Sequence, residues 1–147
     1  MYVPPYDAIL NAIGLTAADV TEGKSVTIPS ALFKFLLQTV VANGEFDEDQ
    51  YLRKNPDVKD AIGIGKVASP HWHYTGFGYF ENRRGAIPAV DDGWYLRTYP
   101  DVADAIRSGK VRSASEHFET TGVKEWRAPR AEFVRDTQRW KSVALKA

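Results

Sequence analysis

The chain has 147 residues, 44% apolar and 26% charged, the balance of an ordinary globular protein long enough to close a core. Lysine plus arginine equals aspartate plus glutamate at 19 each, and no basic run is present, which argues against a general nucleic-acid or acidic-membrane binder. The lack of cysteine excludes a disulfide framework and thiolate chemistry, and no apolar stretch approaches the roughly 20 residues that a membrane span needs.

The first residues, Met1-Tyr2-Val3-Pro4-Pro5, lack the basic start and apolar run of a signal peptide, so a soluble cytoplasmic chain is expected. Asp7 to Leu15 reads as a short helix stopped at Gly14, and Thr16 to Val20 as a further turn. Glu22-Gly23-Lys24 breaks the chain, and Val26-Thr27-Ile28-Pro29 reads as extended. A clear helix runs from Ser30, a plausible cap, to the Asn43-Gly44 stop. Its apolar residues, Leu32, Phe33, Phe35, Leu36, Leu37, Val40 and Val41, exceed one narrow stripe, so it is expected at the centre of the core or buried on two sides.

From Phe46 the chain writes one pattern twice. Residues 46–84 lie over 90–128 at an offset of 44 without a gap, and 18 of the 39 pairs are identical, which marks an internal repeat. Phe46, Asp47 and Tyr51 have the spacing of a hydrophobic staple around an N-cap, with Gln50 in the capping-box position; Val90, Asp91 and Tyr95 repeat the staple and the cap. The helix must stop before Pro56, and Asn55 can cap a second helix whose first residue is that proline. Val58, Ala61 and Ile62 give the second helix a buried side. Ser69-Pro70 then opens a third short helix towards Gly78. Each copy is therefore expected as three short helices, joined through a linker at 85–89, and after Pro129 a last helix is expected over about 131–143, with Phe133, Val134, Trp140 and Val143 roughly on one side. One copy has too few apolar side chains to close a core alone, so the copies are expected to pack on each other, with the flanking helices over their outer faces. The whole reads as a single all-α domain: an N-terminal helical cap (1–45), copies at 46–84 and 90–128, and a C-terminal segment (129–147).

The pattern Tyr-Leu-x-x-Asn-Pro-Asp-Val, followed by His-Tyr-x-x-x-Gly-x-x-Glu-x-Arg, resembles a bacterial repeat module found appended to surface-polysaccharide glycosyltransferases and to some large secreted calcium-binding proteins. The first copy carries Tyr51, Leu52, Asn55, Pro56, Asp57, Val58, His73, Tyr74, Gly78, Glu81 and Arg83. The second carries Tyr95, Leu96, Pro100, Asp101, Val102, His117, Gly122, Glu125 and Arg127. It departs from the pattern with Tyr99 for the Asn and Phe118 for the Tyr, and the Gly between Glu and Arg is Asn82 in one copy and Trp126 in the other. The resemblance implies an accessory, non-catalytic role beside surface-polysaccharide synthesis or export.

The recurrent polar residues, Arg53, Asp57, Asp60, His73, Glu81 and Arg83 with their images Arg97, Asp101, Asp104, His117, Glu125 and Arg127, read either as a pair of ligand pockets or as helix-end charges paired with one another. The second reading makes Asp57, Asp101, His73, His117, Glu125 and Arg127 structural. His71 and His73 do not face each other on a helix, and three histidines without cysteine make no zinc spacing, so no metal or cofactor is expected. Asp47, Glu48, Asp49, Asp91 and Asp92 lack the spacing of a calcium loop. Trp72, Tyr74, Phe77, Tyr79 and Phe80 form an aromatic cluster, either core or a surface that could stack on a sugar or anchor a protein; with Glu81 and Arg83 they are the binding candidates. A protein partner is the first expectation and glycan binding through this cluster the second. A small enzyme using the His, Glu and Arg sets is third, though no nucleophile motif or phosphate loop accompanies them. Self-association is compatible with the sequence.

Overall fold

The computed structural model describes residues 1–87 and 89–145. Pro88, in the expected linker, and residues 146 and 147, at the end of the expected C-terminal segment, lie outside the described residues. The fold is all-α: the described residues contain no strand, and none of their helices is long and apolar enough to cross a membrane. The chain divides into two compact units, one ending at Val40 and the other beginning at Val41.

The first unit holds α1 (Tyr6–Ile13), α2 (Ala17–Thr21) and most of α3 (Ser30–Ala42). α1 stops at Gly14, whose φ of 71° suits a residue without Cβ. α2 starts on a capping box: Thr16 accepts from the Asp19 amide, and Asp19 accepts from the Thr16 amide at 2.7 Å. Contrary to expectation, α3 buries none of its side chains. Phe33, Phe35, Leu36 and Val40 are exposed, and Leu32, Leu37 and Val41 are half-buried. Its apolar residues encircle the helix, so a single packing surface cannot cover them.

The second unit is built from α4 (Glu48–Lys54), α5 (Pro56–Gly63), α6 (Pro70–His73), α7 (Asp92–Thr98), α8 (Pro100–Arg107), α9 (Ala114–His117) and α10 (Val134–Ala144). The starts of α7, α8 and α9 follow those of α4, α5 and α6 by 44 residues each. Aspartates open the first helix of each triplet: Asp47 accepts from the Gln50 amide at 2.8 Å and Asp91 from the Trp94 amide at 2.9 Å. The reciprocal half of the expected box is missing, because the Gln50 side-chain amide donates instead to the Gly85 and Ile87 carbonyls. Serines open the third helices, Ser69 accepting from Trp72 and Ser113 from Glu116. After α6 and α9 the backbone widens into a π-helical turn, 74–78 and 118–122, closed by Tyr79 N–H to Tyr74 C=O and Val123 N–H to Phe118 C=O at 2.9 Å each.

The buried residues form separate clusters. Tyr51, Val58 and Ala86 make one, with Phe46, Leu52, Ile62 and Tyr74 against it; Tyr95, Val102, Ala114 and Phe118 make the other, with Val90, Trp94, Leu96, Tyr99 and Ile106. Each triplet thus closes a small core of its own, where mutual burial was expected. The physical reason is the tyrosine at each centre, 0% exposed, whose ring supplies more buried area than any aliphatic residue nearby.

Asn55 does not cap α5. Its side-chain amide donates to the Tyr51 and Arg84 carbonyls, both at 2.8 Å, tying the end of α4 to the end of the segment. Tyr99, 44 residues on, performs the same tie by other means: its hydroxyl accepts from the Ala128 amide at 3.0 Å. Among the described residues, Asn82 and Trp126 are the non-glycine residues with positive φ, 55° and 58°. They occupy the position where the resembled pattern has glycine, and a side chain there costs roughly 1–2 kcal/mol for most residues, least for asparagine. Because Asn82 is exposed, Asn82→Ala should lower stability by about 1 kcal/mol in urea titrations while Asn82→Gly should not lower it.

Candidate functional site

In each triplet a tyrosine, a histidine and a glycine meet. The Tyr51 hydroxyl lies 2.9 Å from His73 Nδ1, and the Tyr95 hydroxyl 3.0 Å from His117 Nδ1, so each pair shares one hydrogen. A Cβ added to Gly78 or Gly122 would overlap the same hydroxyls. The glycine is required by this close approach. Burial pushes the Tyr95 phenol up to about 12 and raises that of Tyr51, so both remain protonated at neutral pH and can donate to the ring nitrogen. His117 is buried and His73 half-buried.

A second constellation lies on the surface of each triplet. The Arg83 guanidinium donates to Asp57 at 2.6 Å and to Glu81 at 2.8 Å; Arg127 grips both oxygens of Asp101, at 2.9 and 2.7 Å, and Glu125 at 2.6 Å. These bonds hold the Asp57 and Asp101 carboxyls below their ordinary range, although the loss of water works against it. Arg127 also sits 4.8 Å over the Tyr99 ring. The recurrent polar residues therefore do not converge on one pocket. Asp57, Glu81 and Arg83 come together, His73 turns to Tyr51, Arg53 and Asp60 join neither group, and Asp104 pairs with Arg107. Among the described residues no group of three or more His, Asp or Glu side chains is placed to hold a metal.

The aromatic cluster divides between interior and surface. Tyr74 packs inward, stacked on Phe46 and edge-on to Tyr51 at 5.3 Å each, and burial pushes its phenol up to about 12. Trp72 and Phe77 are exposed and adjacent, ring centroids 5.6 Å apart. Tyr79 is exposed and meets half-buried Phe80 edge-on at 5.2 Å. His71 lies tilted against Phe46, ring centroids 5.2 Å apart, and is separate from the Tyr51–His73 pair.

A larger concavity was not anticipated. A cleft of about 520 Å³ opens beside the second π-turn, lined by Trp126, Arg127, Phe133, Asp136, Thr137 and Trp140 among others. Phe133, Asp136, Thr137 and Trp140 are spaced to share one helix face, a signal present in the sequence but hidden by the expectation that Phe133, Val134, Trp140 and Val143 form a packing face. Trp140 and Val143 are in fact exposed, and α10 buries none of its side chains.

Tyr95→Phe should cost about 1–2 kcal/mol, since it leaves a buried Nδ1 unpaired, and Tyr51→Phe should cost less, because water can reach half-buried His73; urea titration of both variants measures the difference. The Asp57 and Asp101 bonds favour ionised carboxylates in the fold. Their contribution is complete above the ordinary aspartate range, about 4, and is lost as pH falls through the lowered values. The urea midpoint of the wild type should therefore fall with pH below about 4, and that of the Asp57→Asn, Asp101→Asn double variant should start lower and fall less. No protein-family model, curated protein or solved structure matches the chain.

Proposed function

We propose that residues 46–84 and 90–128 are two copies of one repeat unit, and that the chain is a non-catalytic, cytoplasmic accessory protein of bacterial surface-polysaccharide synthesis or export which works by binding a protein partner. The observation that carries this reading is the division of labour between shared and unshared residues. Among the residues common to both copies, Tyr51, His73, Gly78, Asp57, Glu81 and Arg83, and their images 44 positions on, are engaged in bonds or close contacts inside their own segment. Such pairs stabilise a scaffold and leave few polar groups for chemistry. Three aromatic residues that the second copy lacks lie outside this frame: Trp72 stands where it has Glu116, Phe77 where it has Thr121, and Tyr79 where it has Val123. All three aromatics are exposed, and exposed aromatics are the side chains that most often anchor a partner.

The adjacent Trp72 and Phe77 rings also support a second reading, in which the same surface stacks on a sugar ring of the glycan itself. Affinity capture from native cell extract distinguishes the two. The first reading expects a defined protein partner that is lost with Trp72→Ala, Phe77→Ala while the double variant melts within a few degrees of wild type. Retention on surface-glycan resin that the double variant abolishes, with no protein captured, would overturn the first reading in favour of the second.

A further inference from the structure

We infer that the cleft beside α10 receives a lysine- or arginine-bearing segment of the partner, an inference that rests on the interaction-module reading above. At about 520 Å³ the cleft falls within the roughly 300–1,000 Å³ of sites that enclose a ligand group. Besides Phe118, which packs on Tyr95, three aromatic side chains line it, Trp126, Phe133 and Trp140, together with the carboxylates of Glu45 and Asp136. Among the described residues, none of these five side chains makes a hydrogen bond, ion pair or ring contact. Arg127 also lines the cleft, but its charge is matched by Asp101 and Glu125 and does not offset the other two carboxylates.

Charge and ring chemistry together select the ligand. Aromatic faces are electron-rich and attract a cation, and two unmatched carboxylates add to that attraction while repelling anions. A neutral ligand would leave the carboxylate charge unmatched. Ile87, Phe118, Val123 and Pro129 add an apolar stretch to the lining, beside polar Asn43 and Thr137. A bare ammonium ion would leave that surface uncovered, whereas the apolar neighbours of a basic residue in a peptide would bury it.

The backbone at Trp126 supports the same site independently. A bulky residue at φ 58° is strained, and the matching place in the first segment holds Asn82, which tolerates that conformation. Strain that a smaller residue would relieve is retained where the side chain is needed, and here the strained side chain lines the cleft.

The test follows the indole N–H signals of Trp126 and Trp140 by NMR, assigned with Trp126→Phe and Trp140→Phe. The probes are acetyl-Leu-Arg-Leu-amide, its citrulline analogue, n-butylammonium and N-acetylglucosamine. The arginine peptide should shift both signals to saturation, and the uncharged citrulline analogue should bind about tenfold more weakly. Glu45→Gln, Asp136→Asn, at exposed positions where folding is preserved, should weaken the arginine peptide by a similar factor. Butylammonium binding as tightly as the peptide would overturn the partner segment in favour of a small amine. A response to the sugar alone, to citrulline and arginine equally, or to no probe would also overturn the inference. Partner capture separates the two levels. A partner retained equally by wild type and by Glu45→Gln, Asp136→Asn overturns the cleft assignment and leaves the module reading standing. Saturable arginine binding with no partner captured by wild type supports the cleft chemistry and removes the module reading.

Discussion

A phenol hydroxyl taken out of water must find a partner, and the second unit is arranged around meeting that requirement at Tyr51 and at Tyr95. Both rings are fully buried, and each sits at the centre of a small apolar cluster. Leaving either hydroxyl unpaired would cost a large part of what burying the ring contributes. The histidine supplies the partner atom, and the glycine one π-turn later leaves the space the hydroxyl occupies. A tyrosine in the first helix of the triplet and a histidine and glycine at its end are thus bound by one condition. A histidine in this setting meets the hydrogen-bonding requirement of a buried phenol.

The surface bonds perform a different task. Arg83 and Arg127 join the start of the second helix of each triplet to the residues that end it, with the aspartate on the terminal nitrogens and the glutamate on Nε. Exposed ion pairs are individually weak, and these gain from two carboxylates sharing one fixed fork. Asn55 and Tyr99 show that the tie matters more than the residue: an amide donating to a carbonyl and a hydroxyl accepting from an amide close the same gap. Seen from sequence, that exchange looks like the loss of a cap.

Much of the fold was legible because its rules are local. Proline at 56 and 100, aspartate at 47 and 91, and serine at 69 and 113 fix helix starts through sterics and amide capping, and their effects do not depend on distant residues. What was not legible depends on burial. The apolar run of α3 could not reveal that its side chains stay exposed, and the spacing of His73 could not reveal that its partner is a tyrosine 22 positions earlier. The aromatic cluster was found, but its division into inward Tyr74 and outward Trp72 and Phe77 requires the coordinates. The cleft was missed because its lining comes from three separated stretches, and because a tryptophan in place of glycine reads as a lapse in a pattern until its backbone angle is known.

The separation of the two tyrosine-centred clusters bears on how such a chain can lengthen. The cross-links between the triplets include Lys54 and Arg84, both reaching Glu119 at the surface, at 3.9 and 3.4 Å. Contacts of this kind set an orientation without binding one interior to the other. A segment that closes its own interior can be copied in tandem without redesigning its neighbour, so growth by duplication requires only a compatible join. Once copied, its outward residues are free to diverge while the phenol and its acceptor stay fixed.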